Sequence, residues 1–505
     1  MTTPLLTPAR PLHTILTGVA FIVFLLPVIA YIGIALQRLE SPVLLEWMEG
    51  GSLQMMYRVL SGKPLYAPPS VEFVPYTYTP LYFYVSAAIS EITGRSLFPL
   101  RLVSFLASLA SFLFVFLFVR REARSSIGGM AAVSLFAGSY AVNGNWFDIA
   151  RIDSLCIALL IAGMWLALGR GRALELVAGG FLVALSFFTK QVAIVVLGPL
   201  IVAVMIRHGK TGIYFALASL LFIALGCLAL DAIHGGWFLF YVLESPRARW
   251  ENNLSLHHLA RATLVEFLPL CMISIAVSVP AIWHLVRRPT RVGASFLIAV
   301  GGLLLAAAWG RVESINFLNS SIPAHLGMAL LFGLAVGTYC ANSRQARTPL
   351  IIAAAFVAQL SVFAALLGPV IPTPRERANA SDYAVFLSSL AQPVYLPDQG
   401  YVETLGPTNS FAHSIGMMDL MMGGTPANIE PFKREMGEAL AAHRFGTIVR
   451  DTPLSLTWFQ GTLEQNYQLL SVDGHRDIWT PILGFRNRPE IWIPRNAPPE
   501  QLGTK

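Results

Sequence analysis

Apolar residues along the first 370 positions gather into long runs, and no other feature narrows the possible folds as far. The runs lie near 14–36, 97–119, 127–145, 153–168, 173–188, 190–206, 211–230, 263–286, 292–309, 321–340 and 349–368. A helix needs roughly 20 apolar residues to cross a hydrocarbon layer about 30 Å thick, and these runs approach or reach that length. Charged residues make up only 12% of the chain, half of the ~25% usual for a soluble domain. The expectation is a polytopic all-α membrane bundle with about 11–12 transmembrane helices. The first run, Thr14 to Leu36, is too long for the apolar core of a signal peptide. No small-residue cleavage pattern follows it, so it reads as a retained anchor.

Charge orients the runs. Five short connections are basic: Arg120–Arg121–Arg124, Arg170–Arg172, Arg207–Lys210, Arg287–Arg288–Arg291 and Arg344–Arg347. Cytoplasmic loops collect Lys and Arg, so the formal charge of +7 belongs to topology and gives no reason to expect nucleic acid as a partner. All five fall on one side, with the N-terminus, only if residues 78–93 do not cross. That segment is short, starts with Thr-Pro and is rich in Tyr, which suits a helix lying in the interface. Eleven spans with a cytoplasmic N-terminus follow, and a twelfth at 78–93 is the rival. The setting expected is a bacterial inner membrane. The four cysteines sit in or beside apolar runs without a C-x-x-C, so neither a disulfide framework nor a zinc site is suggested. His257–His258 and His325 lack His-x-x-x-His spacing.

Beyond residue 369 the apolar runs stop. "QPVYLPD" and "FGTIVRD" are short β-rich runs, with helix-like polar stretches such as 431–443 between them. Residues 370–505 are therefore expected to form a small C-terminal α/β domain on the extracytoplasmic side, after a transmembrane domain over 1–369. No nucleotide-binding glycine pattern occurs in it. Packing on the catalytic face and binding an acceptor are both open to such a domain.

The other connections collect on the outer face and mix acids with bases: Glu46 and Glu49; Asp148, Arg151 and Asp153; Lys190; the stretch from Asp231 to Arg261; Arg311 with Glu313. Such charges are expensive near lipid, and a functional cavity is the default reading. The first outer loop, 37–96, is the most unusual. It carries these acids, a Pro68–Pro69 pair and five tyrosines from Tyr66 to Tyr84.

"EGGSLQMMYRVLSGKPLY" followed by "YTPLYFYV" resembles the first outer loop of the C superfamily of polytopic glycosyltransferases (GT-C), which includes protein mannosyltransferase-like and aminoarabinose-transferase-like enzymes. Glu49 matches the family's acid, Gly62 and Tyr66 the middle of the motif, and Pro80–Leu81 its end. Met48 departs from the pattern, standing where the first acid of an Asp-Glu pair would be, which leaves Glu46 in reserve. "WFDIARIDSL" resembles the second acidic outer loop, and "FFTKQ" the turn that places a Lys near the donor phosphate.

The resemblance implies transfer of a sugar from a polyprenyl-phosphate donor to a glycan, lipid or protein acceptor at the outer membrane face. It makes Glu49 the candidate base, with Glu46, Asp148 and Asp153 in support. Lys190, Arg151 and Arg311 become candidate phosphate ligands, and Trp47, Tyr66, Tyr76 and Tyr78 candidate sugar contacts. Metal use is left open, because Asp148 and Asp153 could hold Arg151 or a divalent ion, and Asp153 could simply cap the next helix. No other cofactor is implied. The rival function is a transporter or lipid-linked-sugar flippase. That would call for two repeated halves and charges near the midplane, whereas the charges here gather at one face and no internal repeat is visible.

Overall fold

The computed structural model describes residues 9–42, 44–342, 347–368, 370–400, 410–452, 455–470 and 489–496. Each apolar run of the sequence forms helix over most of its length, although run 127–145 leaves the helix after Gly138 and run 263–286 is broken at 268–271. In chain order the helices are α1 (Ala9–Leu39), α2 (Glu49–Leu60), α3 (Leu81–Thr93), α4 (Leu97–Ala123), α5 (Ser126–Gly138), α6 (Asp153–Ala167), α7 (Ala173–Thr189), α8 (Ala193–His208) and α9 (Ile213–Ile233). They continue with α10 (Ser245–Asn252), α11 (Met272–Arg287), α12 (Arg291–Arg311), α13 (Ile322–Asn342) and α14 (Thr348–Ala365). Among the described residues six helical stretches are long and apolar enough to cross a membrane: Thr14–Leu39, Leu97–Ala123, Ala193–Ile233, Arg291–Arg311, Leu318–Ala341 and Thr348–Ala365. A seventh is the pair Leu256–Phe267 and Met272–Arg287, bent by 96°. Helices α5, α6 and α7 are apolar but shorter.

The stretch Ala193–Ile233 has 41 residues, and as one straight helix it would run to about 60 Å. It doubles back instead. Gly209 has φ +62°, and a Cβ on Gly212 would lie 3.1 Å from the Cα of Met205, a position seven residues earlier that would be about 10 Å away along a helix. Thus α8 and α9 are separate passes. Three helices open with a hydroxyl cap, a strong helix-start signal: Ser96 accepts from Phe98 N–H, Ser125 from Gly128 N–H and Thr290 from Gly293 N–H.

Helix ends at four of the basic connections meet at one end of the bundle, while Arg344 lies outside the described residues. Glu122, the lone acid among them, accepts from Arg121 at 2.9 Å and from Arg207 at 2.9 and 3.0 Å. Arg207 also reaches Ser295, and Arg121 donates to the Trp165 carbonyl. Helices α4, α6, α8 and α12 are thereby tied together at that end. Close approach of α5 to α13 requires glycine, since a Cβ on Gly333 would fall 2.5 Å from the Gly128 carbonyl oxygen.

Helix α3 is not among the helices long and apolar enough to cross a membrane. Its 13 residues span about 20 Å, and both of its ends lie at the face opposite the basic connections. Thr79, just before it, donates to Phe187 near the end of α7; Arg101, just after it, pairs with Glu49. Tyr82 donates to Leu100, so α3 lies against α4.

The tail folds on this same face. Helices α15 (Pro374–Ser389), α16 (Ser414–Gly423), α17 (Pro426–Ala441) and α18 (Gln460–Asn466) accompany strands β1 (Val394–Tyr395), β2 (Thr447–Arg450), β3 (Tyr467–Leu470) and β4 (Glu490–Pro494). The sheet order is β1-β2-β4-β3; β1 runs parallel to β2, and β4 antiparallel to both neighbours, with Ile448 opposite Trp492 and Leu469 opposite the same residue. "QPVYLPD" and "FGTIVRD" contain β1 and β2, as their β-rich pattern suggests. The tail's core is continuous with that of the loop 37–96: Met48, Tyr66, Tyr76 and Tyr82 belong to one buried cluster with Tyr395, Phe411, Phe432, Ile448 and Trp492.

Candidate active site

The short approach to α2 sets three chemically different side chains, Glu46, Trp47 and Met48, in consecutive positions. Trp47 and Met48 face a cavity of about 660 Å³. Glu46 lies beside that wall rather than on it. One oxygen, Oε2, accepts the Met48 N–H at 2.9 Å, and Oε1 is 3.6 Å from an Arg151 nitrogen without a hydrogen-bonding partner among the described residues. Burial pushes the Glu46 carboxyl up to about 7, helped by the negative charges of Glu49 and Asp153 and opposed by Arg151 and the Met48 N–H.

Glu49, the first residue of α2, has a different environment. It receives Arg101 Nε at 2.9 Å and Nη2 at 2.6 Å, Ala150 N–H at 2.8 Å and Leu45 N–H at 2.6 Å. Both partners of the ion pair are 0% exposed. Burial raises the Glu49 carboxyl, but Arg101 and the two amides outweigh it and hold the group below its ordinary value. It does not reach the cavity. Asp148 is likewise sealed, 3.3 Å from Arg38 Nε and accepting from Tyr140 Oη at 2.9 Å.

Asp153 does line the cavity. It opens α6 without capping it. Its Oδ1 accepts from Lys190 Nζ at 2.6 Å and from Asn319 Nδ2 at 3.1 Å, and its Oδ2 is 3.8 Å from Arg151 Nε. Lys190 owes its place to the break between α7 and α8, where the backbone turns extended at φ −150° and Gln191 donates to the Thr77 carbonyl at 2.7 Å. Arg151 lies over the rings of Trp146 at 4.7 Å and Tyr78 at 5.6 Å, and donates to Tyr78 Oη at 3.3 Å. On the far wall Arg249 pairs with Glu313 at 2.8 Å and with Asp419. Tyr78, Arg151, Lys190 and Arg249 all line the cavity. Away from this polar end the cavity is apolar, walled by Ile157, Leu160, Val192, Val196 and Ile223.

Residues 77–237 match the family model described as dolichyl-phosphate-mannose-protein mannosyltransferase. The whole structure is similar to that of ArnT from Cupriavidus metallidurans bound to undecaprenyl phosphate, a GT-C glycosyltransferase. The TM-score is 0.57 at 14% identity, covering 95% of this chain and 97% of that one. This is the GT-C fold. The apo form of the same ArnT gives a TM-score of 0.52 at 14% identity over 92% of this chain and 97% of the other. Comparison with curated protein sequences gives no match.

Within the GT-C frame the candidates from sequence divide clearly. Asp153, Arg151, Lys190, Trp47 and Tyr78 share the cavity wall, with Glu46 next to it. Glu49, Asp148, Tyr66, Tyr76 and Arg311 do not line it. Tyr66 donates to the Tyr78 carbonyl at 2.5 Å and Tyr76 to the Met48 carbonyl at 3.1 Å, so both support lining residues from behind. Arg311 turns to Glu266 and to the Asn316 carbonyl. Arg249 and Asp419 were not singled out from sequence. Nothing local sets Arg249 apart from Arg247, and its partner lies 170 positions later. Among the described residues no group of three or more His, Cys, Asp and Glu side chains could hold a metal. Asp153 and Glu46 already face cationic groups, a donor set that does not fit a divalent ion.

Proposed function

We propose that this protein is an integral membrane glycosyltransferase that moves a sugar from a polyprenyl-phosphate donor to an acceptor hydroxyl on a glycan, lipid or protein at the extracytoplasmic face. The observation that carries this reading is that Arg151, Lys190 and Arg249 all line the polar part of an otherwise apolar cavity. An isoprenoid chain needs the apolar wall, and a phosphate needs the cations. The structurally similar ArnT was captured with undecaprenyl phosphate, which supports a lipid-phosphate donor here.

In this reading the acceptor oxygen attacks the anomeric carbon, and the bond from that carbon to the phosphate oxygen breaks. The electron pair leaves with the phosphate, whose growing charge is stabilised by Lys190, Arg151 and Arg249. The acceptor proton passes to Glu46, whose affinity near pH 7 suits a general base. Met48, flexible and unbranched, stands between that carboxylate and the cavity. Asp153 holds Lys190 in place, and Trp47 offers a face to the sugar.

Lys190 is the sharpest test of the donor. Ionic contacts in a partly desolvated pocket contribute on the order of 2–4 kcal/mol to a transition state, so Lys190→Met should reduce transfer at least about 30-fold. It should also weaken binding of undecaprenyl phosphate to the purified protein. Lys190→Arg should keep part of both, because the charge stays while the geometry changes. Normal transfer by Lys190→Met would remove Lys190 from the phosphate site.

The reading also places the cavity and tail outside and the basic connections in the cytoplasm. In a cysteine-free background, Ser388→Cys on exposed α15 should react with an impermeant thiol reagent in intact cells. Thr211→Cys, exposed at the α8–α9 turn, should react only after permeabilisation. The reverse pattern would invert the topology.

A further inference from the structure

We propose that Asp419 is a positioning residue for Arg249, which makes α16 of the C-terminal tail a working wall of the sugar-transfer site; this rests on the donor reading above. Ile415, Met418 and Asp419 line the cavity, and their i, i+3, i+4 spacing puts them on one face of α16. The helix is fixed at both sides of the site. At its start the His413 ring faces the Trp47 carbonyl and the Asp398 carbonyl through Nε2, each at 3.1 Å. Nδ1 of that ring accepts from Ile415 N–H at 3.1 Å and lies 3.3 Å from Tyr76 Oη. Two carbonyl oxygens at one ring nitrogen require it to carry the proton, so His413 joins the tail to the loop that holds Glu46 and Met48. Farther along, α16 packs on α10 so tightly that a Cβ on Gly423 would come within 2.2 Å of the Ser245 carbonyl oxygen.

Between these anchors Asp419 clamps Arg249. Its Oδ1 receives Arg249 Nη1, and its Oδ2 accepts from Thr77 Oγ1 at 2.7 Å. Glu313 takes Arg249 Nε at 2.8 Å. A guanidinium has five N–H donors in a rigid fork. With Nε and one edge of Nη1 committed to carboxylates, the Nη2 side is the edge left to point at a donor phosphate. Two carboxylates are more than charge balance requires for one arginine, and holding the plane of the fork accounts for the second.

The test uses the full-length protein in detergent, with undecaprenyl phosphate as probe and quenching of the cavity tryptophans Trp47, Trp146, Trp250 and Trp309 as readout. Arg249→Gln and Asp419→Asn should each weaken binding about tenfold, within the range of coupling between contacting residues. The double variant should bind no worse than Arg249→Gln alone. Thr77→Val, which frees the far oxygen of Asp419 without touching a charge, should weaken binding about threefold. That effect should vanish in the Arg249→Gln background. Unchanged or tighter binding by Asp419→Asn, or additive losses in the double variant, would overturn the proposal. If Asp419→Asn fails to fold, wild-type affinity in Thr77→Val overturns it equally. Lys190→Met separates the two levels: if it and Arg249→Gln both bind normally, the donor reading itself has failed.

Discussion

Glu46→Gln should leave a protein that folds and binds undecaprenyl phosphate but transfers sugar about 10²–10⁴-fold more slowly, the usual contribution of a general base. Gln keeps the size of the side chain and can still accept the Met48 N–H, so the loop should hold its shape. What disappears is a carboxylate raised to about 7 by burial and by two neighbouring acids. A base works only when deprotonated. Wild-type turnover should therefore rise as pH increases through about 7, and the residual rate of Glu46→Gln should lose that limb. Ordinary turnover with an unchanged pH profile in Glu46→Gln would pass the base to Asp153, the carboxylate that lies on the cavity wall itself.

Three residues later the same substitution should act on stability. Glu49→Gln leaves the Arg101 guanidinium buried at 0% exposure without a counter-charge, and breaking a buried pair typically costs about 3–5 kcal/mol. Thermal unfolding in detergent should show a large drop, with poor membrane yield. Adding Arg101→Met removes the stranded charge, and replacing both members of such a pair is often close to neutral. Glu49→Gln/Arg101→Met should therefore regain much of the lost stability and, with it, activity. A Glu49→Gln protein as stable as wild type but inactive would return the chemistry to Glu49, the candidate that the family resemblance favours.

Glu46 and Glu49, three positions apart, end in different surroundings. The acid that aligns with the family pattern serves as the pin between the first outer loop, α4 and the segment before α6. At the position of the missing acid stands Met48, and the carboxylate of Glu46 folds back onto its backbone N–H. A one-dimensional pattern compares positions, whereas a base is defined by where its oxygens end up and by what surrounds them.

Membrane residence, the succession of helices and the gathering of basic turns at one end were written in local composition. Hydrophobic run length and loop charge act residue by residue against lipid and water, so neither needs a partner far along the chain. The same holds for the short α3 and for Lys190, whose polar turn interrupts two apolar runs. Which charges face a cavity and which are sealed was decided only by the tertiary structure. Arg249 meets Asp419 across 170 positions and Lys190 meets Asp153 across 37, and no local signal marks either pairing. Ionic partners are chosen by packing, because an unpaired buried charge costs more than any sequence preference supplies. That is why these loop charges were visible as a set, while the role open to each waited for the fold.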